Sequence, residues 1–438
     1  MSAEAPRLRP VEAFPVDHEG ERYLALRDPA GYVAGVVMVP MALLEIVSLF
    51  DGEHLVTDIQ AAIMRQHGEL IPREQILELA DALDRQGFLE SERFETLRAD
   101  TDRRFLAASS RVASHAGGAY AADPADLRAA MDGFFMPPAG PGSIPATASG
   151  DGRVVRGLIA PHIDFHRGGP AYAWAYRDLA EGGDADLFVI FGTCHAGMGD
   201  PFALTCKDYD TPLGPARVDR DFVEALAKRS GQDCFASELA HRTEHSIEFQ
   251  AVFLQYLYAG RRDVTVVPVL ASFVHEAIAD GRRPEDDPRV ARFLDALAET
   301  AAASRRRLCV IAGADLTHMG PRFGDPDPIS PAELQRIARE DRAMLQAVEA
   351  GDADAFFDSA AADGGRRRIC GLSPIYATLR ALDGATGRLV QYGQWPDPAA
   401  VVTFASVVFI QDGGPDMAPI PPTLGSAPAK PGRASKRA

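Results

Sequence analysis

Three histidines stand just past the ends of strand-like apolar runs. VVRGLIAP leads to His162, LFVIFGTC leads to His195, and LCVIAGAD leads through Leu316 and Thr317 to His318. In an open α/β sheet, ligands collect outside the carboxyl ends of the parallel strands, so residues far apart in sequence converge there. A fourth histidine, His245, lies in HRTEHSIEFQAVFLQYL, which reads as a turn opening into a helix. Seven of the 11 histidines fall between His162 and His318. Imidazole is the commonest metal ligand and the natural acid or base near neutral pH. These residues therefore point to a metal centre or a proton-transfer site.

The loops add carboxylates. HRTEHSIEFQ offers Glu244 and Glu248, and GADLTHMGPRFGD offers Asp315 beside Thr317 and His318. Two or three neutral imidazoles with one carboxylate suit iron(II), zinc or copper, whereas magnesium and calcium want oxygen ligands. A metal-free cluster of histidines with Asp315 and Glu244 is the alternative, working by general acid–base catalysis. His166, His241 and His275 read as surface or hydrogen-bonding residues. His18, His54, His67 and His115 show no partner pattern. The five cysteines form no CxxC pair, which argues against a structural zinc site. Cys194, next to His195, reads as a packing residue before it reads as a nucleophile.

The elements that hold these loops alternate strand-like runs with helical stretches. The runs are Val154–Ile159, Leu187–Phe191, Val264–Leu270, Leu308–Ile311 and Val401–Ile410; the helical stretches include Asp221–Lys228 and Pro331–Ala350. That alternation predicts an α/β domain over residues 153–411. Gly168-Gly169-Pro170 is expected to break any helix soon after His162. Residues 1–94 read as a separate unit: a hairpin within Tyr23–Val37, three short helices, then a short strand at FLES, a winged-helix pattern. Residues 95–152 read as a connector with a helix from Pro124, capped by Asp123. Residues 412–438 read as a disordered tail.

Composition narrows the class. Hydrophobic content of 46% with charged content of 24% is that of a soluble globular chain. A net charge of −17 argues against general nucleic-acid binding, which depends on lysine and arginine neutralising phosphate. Glu74, Glu78, Asp81 and Asp84 on the third helix argue the same for the front unit. The chain shows neither a membrane-spanning stretch nor a signal-peptide segment at its start, so a cytoplasmic location is expected.

Taken in order, RVASHAGGAYAADPADLRAAMDGFF, APHIDF…GG, FGTCHAG, TEHSIEFQ, GADLTHMGPRFGD and RRRICGLSPIYATL resemble the Memo family, also called AmmeMemoRadiSam system protein B. The resemblance spans about Arg111 to Ile410. It implies a sheet flanked by helices, similar to the class III extradiol dioxygenases, which cleave catechol-type rings with non-haem iron(II). Carried over by position, it implies His162 and His195 as metal ligands, and His245 as a further metal-site or acid/base residue. His318, Asp315 and Glu244 are expected in support. Where the dioxygenases complete the site with Glu, and animal Memo with Cys, this chain has Thr317, a poor ligand for a soft or borderline metal. The resemblance also implies iron or copper as cofactor, with a radical S-adenosylmethionine protein and an AMMECR-type protein as partners. DGEHLVTDIQAAI…ILELADALDRQGFLE resembles the PqqD-like domains, which accompany radical enzymes and bind peptides. Two functions follow as expectations: a metal-dependent redox enzyme, or a non-catalytic peptide-binding partner of a radical enzyme.

Overall fold

The computed structural model describes residues 5–145, 153–397 and 399–412. The expected tail beyond Asp412 lies outside them. The chain divides into two compact units, Met1–Ala108 and Ser109–Ala438.

The first unit opens with an antiparallel sheet of β1 (Glu12–His18), β2 (Glu21–Arg27) and β3 (Val36–Pro40). Helices follow at Leu44–Ser48, Val56–His67 and Arg73–Arg85. Their apolar faces, among them Ile46, Ile59, Ile63, Ile76 and Leu83, close a core of their own with Leu26, Val39 and Phe88. FLES forms no strand; Leu89 makes only an isolated bridge to Leu8. A helix, Glu92–Ala107, runs from the end of the stretch read as the front unit into the stretch read as a connector from residue 95. Ser91 caps it by accepting from the Phe94 N–H, and Phe94 packs edge-on against Tyr32.

The second unit carries the large sheet. Its strands are β4 (Ser110–Arg111), β5 (Arg153–Ala160), β6 (Leu187–Thr193), β7 (Phe202–Leu204), β8 (Asp208–Tyr209), β9 (Thr265–Ala271), β10 (Leu308–Gly313), β11 (Asp315–Met319), β12 (Gly387–Asp397) and β13 (Ala400–Asp412). Eight of them join in the order β11-β13-β5-β10-β6-β9-β7, with β12 along the other edge of β13; β4 and β8 pair separately. The middle four, β5, β10, β6 and β9, are parallel, and the flanking strands are antiparallel. Every residue of β6 and β10 is buried, as expected of parallel strands covered on both faces. This is a mixed α/β sheet flanked by helices.

Two local features shape the site. The helix Phe165–Gly182 runs straight through Gly168, Gly169 and Pro170, contrary to the expected break. A Cβ on Gly168 would lie 2.3 Å from Ile163 Cγ2, and one on Gly169 would lie 2.5 Å from the Phe134 ring. The glycines are there for close packing, which outweighs their weak helix propensity. The second feature is the helix His245–Tyr258, buried at every position after His245. It is apolar nearly all round, as a helix laid into a core must be. Its first turn presses onto the sheet where β6 has Gly192 one residue before its end and β10 ends in Gly313. A Cβ on Gly192 would meet Ser246 Oγ at 2.5 Å, and one on Gly313 would meet the Ser246 carbonyl at 2.3 Å. Only glycine at these strand ends lets His245 come this close.

Candidate metal centre

The carboxyl ends of β5 and β6 and the start of the helix His245–Tyr258 bring three histidines together. One ligand nitrogen from each of His162, His195 and His245 lies within 4.8 Å of the others. The ring centroids are 4.9 Å apart for His162 and His195, 5.2 Å for His162 and His245, and 4.6 Å for His195 and His245. The His162 side chain is 2% exposed, whereas His195 and His245 are 37% and 27% exposed. The cluster is thus closed at its base by His162 and open to solvent past the other two.

Hydrogen bonds orient each ring. His162 Nδ1 donates to the Gly313 carbonyl at 2.9 Å, which leaves Nε2 with a free lone pair. His195 Nδ1 lies 3.0 Å from both oxygens of Glu244, and His245 Nδ1 lies 3.3 Å from Glu244 Oε1. One buried carboxylate therefore orients two imidazoles, the arrangement that fixes the tautomer of metal-binding histidines. Glu244 also accepts from the backbone N–H groups of His195 and Ser246, capping the helix His245–Tyr258. Glu244 is an orienting group, and its lone pairs are spent on these contacts.

The charges follow. Burial, then the neighbouring His195, push His162 down to about 3, so it is neutral. Burial also holds His245 well below its ordinary 6.5, against the pull of Glu244. For His195 burial opposes a charge, but Glu244 outweighs it and holds the imidazole well above 6.5. Glu244 stays ionised, since His195 and His245 outweigh its burial.

Asp315 sits beside His162. Its Oδ1 accepts from the His162 backbone N–H at 2.9 Å, and its Oδ2 lies 3.8 Å from His162 Nε2. Burial raises its carboxyl to about 6. His318 turns its Nδ1 to the Leu316 carbonyl at 3.0 Å and its ring against Phe323, outside the three-histidine group. Thr317 points elsewhere. The pairing of β11 with β13 slips between Asp315 and His318, which breaks the simple alternation of the strand. Thr317 Oγ1 donates to the buried Asp341 at 2.7 Å. Asp341 also accepts from Thr403, Tyr392 and Arg367, so Thr317 serves a buried polar network and not the cleft.

Two residues near the cluster lie in motifs quoted from the sequence but were not singled out as site residues. Cys370 Sγ is 3.1 Å from His162 Nε2. His115 stands with its ring 5.5 Å from that of His245 and its Nδ1 2.9 Å from Glu248. Glu248 itself is not at the cleft. It is held by Arg111, Tyr120 and Ser114 as well as His115, and so ties the segment RVASHAGGAY to the helix of His245. The motifs RVASHAGGAY and ICG were the only sequence marks of these contacts. His241 is buried and braced, with its Nε2 donating to the Ala203 carbonyl and its Nδ1 accepting from Tyr209. His166 is exposed, and Cys194 is packed in the core, where burial pushes its thiol up to about 11.

The donor set fits a metal: three imidazoles with their Nδ1 atoms engaged and one nitrogen of each within 4.8 Å of the others suit iron, copper or zinc. An α/β sheet with such a histidine cluster at its strand ends defines a protein with a candidate metal-binding cleft. The family model described as Memo-like protein matches residues 111–408, and the chain belongs to that family. It is similar to the MEMO1 family protein of Aquifex aeolicus, 29% identical over 404 residues, covering 91% of this chain and 99% of the relative. It is also similar to MEMO1 family proteins of Methanopyrus kandleri (31% over 304 residues; 67% of this chain, 96% of the relative) and Aeropyrum pernix (31% over 290 residues; 66% and 93%).

Proposed function

We propose that the cleft holds one redox-capable metal ion, iron or copper, through His162, His195 and His245, and that the protein is a metal-dependent redox enzyme. The observation that carries this reading is the convergence of three imidazole nitrogens within 4.8 Å, with one carboxylate, Glu244, behind two of the rings. When bound, the metal supplies Lewis acidity and one-electron chemistry. The residues do the rest. His162 closes the base of the cleft, and the exposed edges of His195 and His245 leave an approach for a small molecule. Asp315, raised to about 6, exchanges a proton near neutral pH beside His162. His318 lines the same end of the sheet as a second proton carrier.

The test is metal analysis of anaerobically purified protein, wild type beside a His162→Ala/His195→Ala double variant. About one iron or copper per chain in the wild type, absent from the folded variant, is the expected result. Equal metal in both sinks the ligand assignment. We further propose a radical S-adenosylmethionine protein as partner, on the strength of the sequence resemblance alone. Failure of the two to co-purify after co-expression removes that proposal.

A further inference from the structure

We infer that Arg111 is a positioning residue of the histidine centre: its buried guanidinium sets the turn that carries Glu244 and His245. The inference rests on the three-histidine reading above and names what holds one side of it.

Arg111 is the last residue of β4 and is 1% exposed. Each of its five side-chain N–H groups has an acceptor. Nε donates to the His241 carbonyl at 2.8 Å. One terminal nitrogen donates to the Glu244 carbonyl at 2.6 Å and to Ser114 Oγ at 2.9 Å. The other donates to the Val112 carbonyl at 3.0 Å and to the Glu248 carboxylate. Glu248 is as buried as Arg111, so the two charges compensate each other inside the unit. The backbone under the fork is fixed as well. The Asp210 N–H donates to the Arg111 carbonyl at 2.9 Å, and the guanidinium carbon lies 4.9 Å from the centre of the Tyr209 ring.

His241 and Glu244 bracket the turn between the short helix Glu238–Arg242 and the helix His245–Tyr258. Two prongs of one rigid plane, set on two carbonyls of that turn, fix its path. The path places the Glu244 carboxylate 3.0 Å from His195 Nδ1 and 3.3 Å from His245 Nδ1. It also sets where the His245 side chain leaves the backbone. Arg111 therefore acts on the centre through the backbone of the turn, and its charge is already met by Glu248. Lysine keeps the charge, but its three donors sit on one atom and cannot span both carbonyls. The rival role is general support of the fold, with the centre indifferent to which cation fills the site.

Copper(II) binding separates the two. The full chain is titrated with copper(II) against a competing chelator, as wild type, Arg111→Lys and Arg306→Lys, with the folded fraction of each read by circular dichroism. Arg306→Lys is the control: it removes a guanidinium that bridges Asp186 and Asp219, at the amino end of β6 and not at its carboxyl end. The expected result is copper bound roughly tenfold or more weaker in Arg111→Lys, at equal folded fraction, with an altered copper paramagnetic resonance spectrum. Arg306→Lys is expected to keep the affinity and the spectrum of the wild type. Wild-type affinity and spectrum in Arg111→Lys, or an equal loss in Arg306→Lys, overturns the positioning role and leaves the three-histidine centre standing. No copper retained by the wild type overturns both. If Arg111→Lys does not fold, amide exchange of the wild type decides. Slower exchange across Ser110–Val112 on copper binding supports the coupling of that segment to the turn, and exchange unchanged by copper overturns it.

Discussion

Thr317 shows how sequence order can point to a residue whose side chain is spent elsewhere. Thr317 looks like the ligand position by sequence order, yet its hydroxyl is spent on Asp341. Thr317→Ala is therefore expected to leave metal affinity unchanged and to cost about 1–3 kcal/mol of stability, because a buried carboxylate loses a donor. Metal titration and chemical denaturation of the same variant check both halves; a large loss of affinity would put Thr317 back at the centre. His162, His195 and His245 were legible because each follows a recognisable apolar run or opens a helix. Cys370 was not, since nothing in a lone cysteine between RRRI and GL says which strand end it will face. His115 escaped for the same reason: its partner, Glu248, comes from a distant helix.

Elements carry the precision. The strands β5, β6, β9, β10 and β13 were legible as apolar runs, and the helix Pro124–Phe134 from its Asp123 cap and Pro124. β11 was read as a loop, because DLTHM mixes polar and apolar residues and its register slips. The helix through Gly168-Gly169-Pro170 was hidden by its own breakers, which only tertiary packing against Ile163 and Phe134 explains. The strand-end glycines have a measurable consequence. Gly313→Ala would push a methyl into the Ser246 carbonyl and lift the first turn of the His245 helix. The expected cost is about 1–3 kcal/mol, with weaker metal binding than the wild type at equal folded fraction. Unchanged affinity in that variant would mean that the fit of the helix on the sheet does not set the position of His245.

At the scale of the molecule, buried titratable groups make the second unit sensitive to acid. Burial holds His241 down to about 3, below the 6.5 of an ordinary histidine, so the unfolded chain takes up the proton first. The stability this provides is complete above 6.5 and is lost as pH falls from 6.5 to 3. Glu248 is held at about 2: burial opposes its charge but Arg111 outweighs it, so its contribution is lost from 4.5 downward. The urea midpoint of the wild type is expected to fall between pH 7 and pH 4, with a shallower slope in His241→Asn; identical slopes would remove His241 from the account. None of the helices among the described residues is long and apolar enough to cross a membrane. The match to the Aquifex aeolicus relative over 91% of the chain reaches past the second unit into the first, so the two units occur together in that relative as well. The central claim is the histidine centre. Pulsed electron paramagnetic resonance of the copper(II)-loaded full chain tests it most directly, since the remote Nδ1 of each bound imidazole modulates the echo. The account predicts imidazole modulation in the wild type that diminishes in His162→Ala and again in His162→Ala/His195→Ala. Bound copper without imidazole modulation, or modulation unchanged in those variants, would contradict it.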